Sequence, residues 1–494
     1  MELALPVVHP HNHVVLLRTG VALDSHSISR LRELDLPHIW VRYPGLESLV
    51  RYISPPVLEA YSELAHNLGV ALDAAMEDQH ARLDLTLIKT PIINVLARLG
   101  ENPGAALMIG DVASSDRPYV RHCGNVALLS ILMGLKLEFY LLHERRRLIP
   151  YQAKDITNLA VGAMLHDIGL TRFTSEISKR LNAILLATPN HAPVNPDPNL
   201  PSLENDDAYR SHARLGYEMV RDHVDPVAAA IVLNHHQHYD GTGWPQPRMV
   251  RMTPRPAVGS NIHVFARIVA AADLYDRLRH PLHLPHSEVG ECDGGLKSMP
   301  AVRALRLMQS EPYRSWIDPI VLQALLAIAP PYPPGSIVTL SDGRTAVVVD
   351  LNRDEPCRPV VEILGSIEPE QYHHHEPTSA QRINLRNTPS LSIASIDGES
   401  VLDDNFGPHA TNPSEFDLAA TSKALINAAA SLPRPLLNQP DENLLLPDEH
   451  LPPGHPDAHH PDAPPPRHHQ HSHQHQPQPP RQPPPEPGKD QRAA

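Results

Sequence analysis

Apolar residues follow three successive rhythms along this 494-residue chain. In the first fifty residues the runs are short. HVVLLRTG reads as a strand ending at Gly20, SHSISRLRELD as a serine-capped helix and HIWVRY as a second strand. From Pro56 to about Leu99 the spacing becomes helical, with Leu58, Tyr61, Leu64 and Leu68, then Ile88, Ile92, Val95 and Leu96, recurring on one face. The same rhythm predicts helices over 118–145, 152–168, 209–223, 226–237 and 260–279, and a further pair over 300–310 and 317–328. YPPGSIVTLSDGRTAVVVD then alternates with period two around a DG turn, which predicts a hairpin, and VVEIL supplies a third strand. Past residue 366 the periodicity fades. Past Pro433 the chain is rich in proline and histidine, a composition that buries too little apolar surface to offset its ordering entropy.

The fold class that follows is mainly α. A small α/β region (1–50) and a helical lead-in (51–115) precede a helical bundle (116–330), a small β appendix (331–365) and a tail from 366 to 494 expected to be mostly disordered. Aromatic residues make up only 4% of the chain, so the core must be built from Leu, Ile, Val and Ala, as helical bundles commonly are. The net charge of −14 argues against a general affinity for nucleic acid or anionic membranes. Cys123, Cys292 and Cys357 are few and far apart, which fits neither a disulfide framework nor a zinc ribbon. The N-terminus lacks the basic start and apolar core of a secretory signal. The longest apolar stretch, Val126 to Leu142, is interrupted by Lys136 and Glu138 and is too short to span a bilayer. A soluble cytoplasmic protein is expected.

Chemistry enters through the five helices of the bundle, each with a candidate ligand on or near an apolar face. His122 shares a face with Val126, Leu129 and Met133; alone, a histidine there is usually a satisfied core residue. LAVGAMLHDIG is an apolar helix stopping at Gly169, read as a C-cap, with His166 and Asp167 in its last turn. His212 lies one turn before Gly216, where a missing side chain would admit a neighbouring backbone. His235 and His236 end AAAIVLNHH directly before a glycine-rich turn. Asp273 is the acid on a face of small residues, where a carboxylate is costly unless paired or metal-bound. Asp276 is read as supporting or exposed, His238 as solvent-facing, and Asp240 as holding the turn or orienting a ligand histidine. Seven imidazole and carboxylate ligands suit two divalent ions, and without thiolates they suit Fe or Mn better than structural zinc. No GxSxG or activated-cysteine pattern competes with this reading.

In order, RHCGNVALL, LHDIG, SHARLGYEMV, NHHQHYDGTGWP and ARIVAAADLYDRL resemble the HD-GYP family, a branch of the HD metal-dependent phosphohydrolases; the resemblance spans roughly residues 116–365. It implies an all-helical catalytic bundle, Fe or Mn as the metal, and hydrolysis of cyclic di-GMP to pGpG and GMP by a metal-bridging hydroxide. Transferred position by position, it implies one ion on His122, His166, Asp167 and Asp273 and a second on His212, His235 and His236, with Asp167 as the bridge and the central catalytic residue. Asp240, Gly241, Gly243, Trp244 and Pro245 would form the substrate-side turn. A cyclic dinucleotide is the implied partner molecule, with a GGDEF-type protein as a possible signalling partner.

The chain departs from the family at three positions. The lysine that commonly follows HDIG is Leu170, with Arg172 a badly directed substitute; the tyrosine of GYP is Trp244; and Pro118 replaces a glutamate that holds a third ion in some members, so two ions are expected. The stretches 171–209 and 246–261 are expected to be loops, longer than the family's and rich in proline. The missing lysine keeps two other readings open: a metal-retaining module without turnover, and a phosphohydrolase for another nucleotide.

Overall fold

Short N-terminal strands β1 (Val7–Val8) and β2 (Val15–Leu17) pair antiparallel beside helix α1 (Ser25–Glu33). Leu3, Val7, Leu23 and Leu31 form a small core of their own here. Of the expected strand HIWVRY, the described residues make one bridge, Val41 to Leu3, flanked by backbone bonds from Ala4 N to the Trp40 carbonyl and from Arg42 N to the Glu2 carbonyl. These observations come from a computed structural model, which describes residues 2–8, 15–33, 39–42, 45–77, 86–101, 117–188, 201–245, 257–281, 284, 298–364 and 381–407.

The helical lead-in is the pair α2 (Pro55–Glu77) and α3 (Thr86–Glu101), packed on each other through the predicted faces. The bundle follows. Its first segment is bent at Leu137 into α4 (Pro118–Lys136) and α5 (Glu138–Glu144). The second is α6 (Pro150–Lys154) and α7 (Thr157–Leu165), which runs into a single 3-10 turn over Ile168–Arg172. Next come α8 (Ser175–Ala187), inside the stretch expected to be a loop, then α9 (Asp207–Val220), α10 (Pro226–Asn234) and α11 (Val264–Arg279). Helices α12 (Ala301–Met308), α13 (Tyr313–Trp316) and α14 (Pro319–Ile328) close the helical part.

Proline and aspartate define the helix starts. Asp206, Asp225 and Asp318 accept backbone N–H bonds at the heads of α9, α10 and α14, and proline stands in the first turn of α10 and α14. Helix α4 packs on α7 and α11, α7 on α10, and α10 on α9, while the Ile168–Arg172 turn lies against α9. All the ligand-bearing segments therefore meet around one interior. No single described helix is long and apolar enough to cross a membrane; the bent pair α4–α5, which together would pass on length and composition, turns by 83°.

The β part is larger than expected. Six antiparallel strands form one sheet in the order β6-β5-β4-β3-β7-β8: β3 (Ile337–Leu340), β4 (Thr345–Asp350), β5 (Val360–Ile363), β6 (Arg382–Asn384), β7 (Ile393–Ile396) and β8 (Glu399–Ser400). The β appendix therefore does not end at 365, and the segment after 366 is not wholly tail. Strands of two to four residues are too short for alternation to reveal, yet β6 extends β5 and β7 covers the outer edge of β3. The sheet is tied to the lead-in by Tyr52, which donates to Asp350 at 2.8 Å, and by an Arg51–Asp350 ion pair at 2.6 Å. The Pro/His-rich tail lies outside the described residues, as do residues 189–200, 246–256 and Cys292. Cys123 and Cys357 are buried and free.

One cap carries a pH dependence. At the head of α11, His263 Nδ1 accepts from Phe265 N at 3.1 Å, so it must stay unprotonated, and burial with Arg145 and Arg267 nearby pushes its pKa down to about 4. The unfolded chain takes up that proton near the usual 6.5, so stability falls as pH drops from about 6.5 towards 4. His263→Asn keeps an accepting cap that does not titrate. It should reduce the loss of stability between pH 7 and 5 by about 1 kcal/mol, allowing for partial exposure, as measured by urea unfolding at both pH values. Equal losses in parent and variant would contradict the assignment.

Candidate metal centre

Two clusters of ligand atoms lie in the bundle interior: His122, His166 and Asp273 in one, and Asp167, His212, His235 and His236 in the other. All seven side chains are buried, none more than 5% exposed. They come from α4, the α7 C-terminus, α9, the α10 C-terminus and α11.

Asp167 lies between the clusters. Its Oδ2 is 3.4 Å from His122 Nε2 and 3.5 Å from His166 Nε2, and its Oδ1 is 3.1 Å from His212 Nε2 and 3.5 Å from His235 Nε2. His166 and Asp167 do not occupy a regular last turn ended by a glycine cap, as the sequence suggested. Helix α7 stops at Leu165, and the backbone passes through both residues into the 3-10 turn. Gly169 serves close approach. A Cβ there would lie 1.9 Å from the His212 carbonyl oxygen and 2.7 Å from Gly216 N, so the glycine pair lets α9 bring His212 up to Asp167.

The histidines are held in one tautomer by their outer nitrogens. Nδ1 of His166, His212 and His235 bonds the backbone carbonyl three residues earlier, that of Ala163 at 2.7 Å, Tyr209 at 2.5 Å and Val232 at 2.8 Å. A carbonyl only accepts, so each Nδ1 carries the proton and each Nε2 presents a lone pair inward. His122 Nδ1 meets Asp276 Oδ2 at 2.8 Å, and Asn125 donates to the other oxygen of that carboxylate at 2.9 Å. Asp276 is therefore buried and orients His122. The consequence is severe crowding of acceptors: His122 and His166 Nε2 are 3.2 Å apart, as are His212 and His235 Nε2. Both oxygens of Asp167 and of Asp273, and Nε2 of His236, are buried without a hydrogen bond. Lone pairs so placed repel one another unless positive charge lies among them. Divalent cations fit this donor set of imidazoles and carboxylates.

Electrostatics agree. Burial opposes ionisation of Asp167, but the surrounding imidazoles, His166 foremost, hold its carboxyl well below the usual range. Asp273 is likewise kept ionised against burial, by Arg277 first. Burial pushes His235 down to about 4 and His236 well below the usual imidazole range, so both stay neutral, as ligands must. His122 is opposed by burial yet raised by Asp167, Asp273 and Asp276; a bound cation would displace its proton.

The turn after His236 is a packing device. Asp240 accepts from Thr242 N at 2.9 Å and from its hydroxyl at 2.7 Å, and Gly241 has φ 85°. Gly243 lets the chain pass His236 and His238 at backbone distance, where a Cβ would lie 2.3 Å from the His236 carbonyl oxygen. Trp244, followed by a cis bond to Pro245, bonds that carbonyl through its backbone N–H at 3.0 Å and stacks on the His236 ring at 3.8 Å. His238 is not solvent-facing; it is half-buried and stacked on Trp316 at 3.9 Å, because α13 folds beneath the turn. Leu170, at the position of the family's lysine, is fully buried in the core. Arg172 donates to the Ala75 carbonyl and to Met219 sulfur, away from the clusters.

Periodicity gave no sign of Glu204 or Arg277. Glu204 lies in an irregular segment, and Arg277 reads as an ordinary basic residue of a helix's last turn. Arg277 is buried, pairing with Asp273 at 2.8 Å and with Glu204 at 2.9 Å. The (i, i+4) spacing from Asp273 was the available signal.

Residues 119–278 match the model of the HD domain. The chain carries an HD domain. Residues 337–401, the six-stranded sheet, match the KOW domain associated with HD domains. A cyclic di-GMP phosphodiesterase of Pseudomonas aeruginosa is 24% identical over 392 residues, 72% of this chain and 80% of that protein. The cyclic di-GMP phosphodiesterase response regulator RpfG of Xanthomonas campestris pv. campestris is 35% identical over 97 residues, 19% of this chain and 23% of that protein. An HDG"Y"P protein from Bdellovibrio bacteriovorus aligns with 66% of this chain and 94% of its own, at 16% identity and a TM-score of 0.37, too loose a match to bear on the fold.

Gly169→Ala should push α9 from the HD turn. A melting temperature lower by several degrees and impaired retention of added Mn(II) are expected, whereas Gly407→Ala, with nothing within 4 Å, should be neutral in both. Indistinguishable behaviour of the two variants would show that this close contact does not position His212.

Proposed function

We propose that this HD phosphohydrolase is a cyclic di-GMP phosphodiesterase, opening the dinucleotide to pGpG and onward to GMP. The observation that carries the reading is the pair of buried ligand clusters sharing Asp167, one oxygen facing each. The named activity of two relatives, one matching over most of its length, supports the choice of substrate. His122, His166 and Asp273 would hold one divalent ion, His212, His235 and His236 the other, and Asp167 both. Iron or manganese is proposed, two ions per chain. When bound, the ions supply an activated water and the positive charge that phosphodiester cleavage requires.

The protein's own groups perform the rest. The carbonyls of Ala163, Tyr209 and Val232, with Asp276, fix the imidazoles so that their inner nitrogens need no reorganisation. Asp167 stays ionised in a site from which water is largely excluded, and so keeps the clusters in register. A GGDEF-type enzyme is the proposed source of substrate.

Mn- or Fe-loaded protein incubated with cyclic di-GMP should release pGpG and GMP. Asp167→Ala should abolish both metal retention and hydrolysis. His238→Ala, which removes a stacked ring outside the clusters, should lower stability and leave metal content unchanged. Protein that holds two ions yet forms no product would refute the substrate, and loss of metal in both variants would refute the ligand set.

A second reading, a metal-retaining module with weak turnover, is favoured by one observation: the family's phosphate-facing cation is replaced by a leucine with no exposed surface. Leu170→Lys would bury an ammonium in apolar surroundings and should cost several kcal/mol, seen as a marked fall in melting temperature with no gain in turnover. A stable variant with higher turnover would show that the position does face substrate.

A further inference from the structure

A buried polar chain runs from Asp273 in one ligand cluster to His236 in the other. Arg277, one turn after Asp273 on α11, forms an ion pair through Nη2 with Asp273 Oδ2 at 2.8 Å. Its Nη1 donates to Glu204 Oε1 at 2.9 Å and to the Tyr209 hydroxyl at 3.3 Å. Glu204 comes from the single turn Leu203–Asn205 ahead of α9 and is only 5% exposed. Its second oxygen accepts from Trp244 Nε1 at 2.7 Å. The indole lies flat on His236, ring centroids 3.8 Å apart and planes 21° apart, and Glu204 Oε1 lies 3.9 Å from His236 Nδ1.

Packing alone does not call for this arrangement. Burying a guanidinium and a carboxylate far from water is expensive, and apolar residues of similar size would fill the space at lower cost. What the chain does is orient. Arg277 engages one oxygen of Asp273 and leaves Oδ1 towards His122 at 3.3 Å and His166 at 3.7 Å. At the other end, His236 differs from the other three histidines of the C-terminal turns and α9. Their rings are fixed by a carbonyl three residues earlier, whereas His236 is fixed by the Trp244 face with Glu204 beside its Nδ1. One ligand of each cluster is thus set by the same ion pair.

We propose that Arg277 and Glu204 are a positioning pair that mechanically couples the two clusters, so that an ion seated against Asp273 preorganises His236 for the second. The inference rests on the reading of the clusters as metal sites. Trp244 is the transmitting element. A carboxylate that receives both Arg277 and an indole N–H cannot move with one of them without moving the other.

The test is formation of an exchange-coupled Mn(II) pair, followed by electron paramagnetic resonance as Mn(II) is added to the metal-free full-length protein. Ions bound singly elsewhere, on the histidine-rich tail for example, give an uncoupled signal and are told apart. The parent should pass directly to the coupled pair with little singly loaded intermediate. Trp244→Phe keeps an aromatic face and removes the N–H; Glu204→Gln keeps the shape and removes the charge. In both, the pair should need ~10–100-fold more Mn(II), the range typical when an orienting partner of a metal ligand is lost. A singly loaded species should also accumulate first. A lower melting temperature with an unchanged Mn(II) titration would overturn the proposal and leave the network a purely structural one. A parent that never forms a coupled pair would overturn the binuclear reading itself, and the coupling with it.

Discussion

Acceptor crowding is the constraint on which the rest of the structure depends. Inward-facing imidazole lone pairs and two ionised carboxylates converge in a buried space, with Nε2 atoms as close as 3.2 Å. No arrangement of neutral hydrogen bonds relieves this, since the proton of each carbonyl-bonded imidazole is committed to its outer side. Folding must therefore hold mutually repelling groups together, and the bundle supplies the means. Apolar packing of α4, α7, α9, α10 and α11 provides the favourable term, close glycine contacts set the spacing, and outer-side hydrogen bonds fix the rings. Cations then convert the repulsion into binding energy.

That logic separates what the linear chain revealed from what it hid. The helical bundle is legible because each candidate segment carries a strong apolar face, and the seven candidate ligands because the adjacent pairs His166–Asp167 and His235–His236 stand at helix ends while His122, His212 and Asp273 lie on or near apolar faces. The structure brings all seven within two clusters. Supporting groups were legible only where helix spacing exposed them. Asp276, one turn after Asp273, is visible as a neighbour on the helix, but its bond to His122 is visible only in the folded chain. Glu204 sits in a segment without period, and only the folded chain shows it beneath Trp244.

Where structure and pattern differ, the physical origin is shared. Glycine at position 169 reads as a helix terminator because glycine commonly is one, but its role here is to let two backbones touch. His238, placed after a helix, reads as solvent-facing, whereas α13, over seventy residues later, places Trp316 against it. The sheet extends beyond its legible strands because β6, β7 and β8 are two to four residues long and gain their stability from neighbours rather than from pattern. All three are tertiary effects that override a sound local expectation.

Anomalous diffraction from crystals of Mn-loaded protein tests most directly the proposed pair of cation sites sharing Asp167. Two peaks are predicted at the manganese edge, one among His122, His166 and Asp273 and one among His212, His235 and His236, with the Asp167 carboxylate between them. A single peak, or peaks that leave either oxygen of Asp167 without a cation, would contradict it.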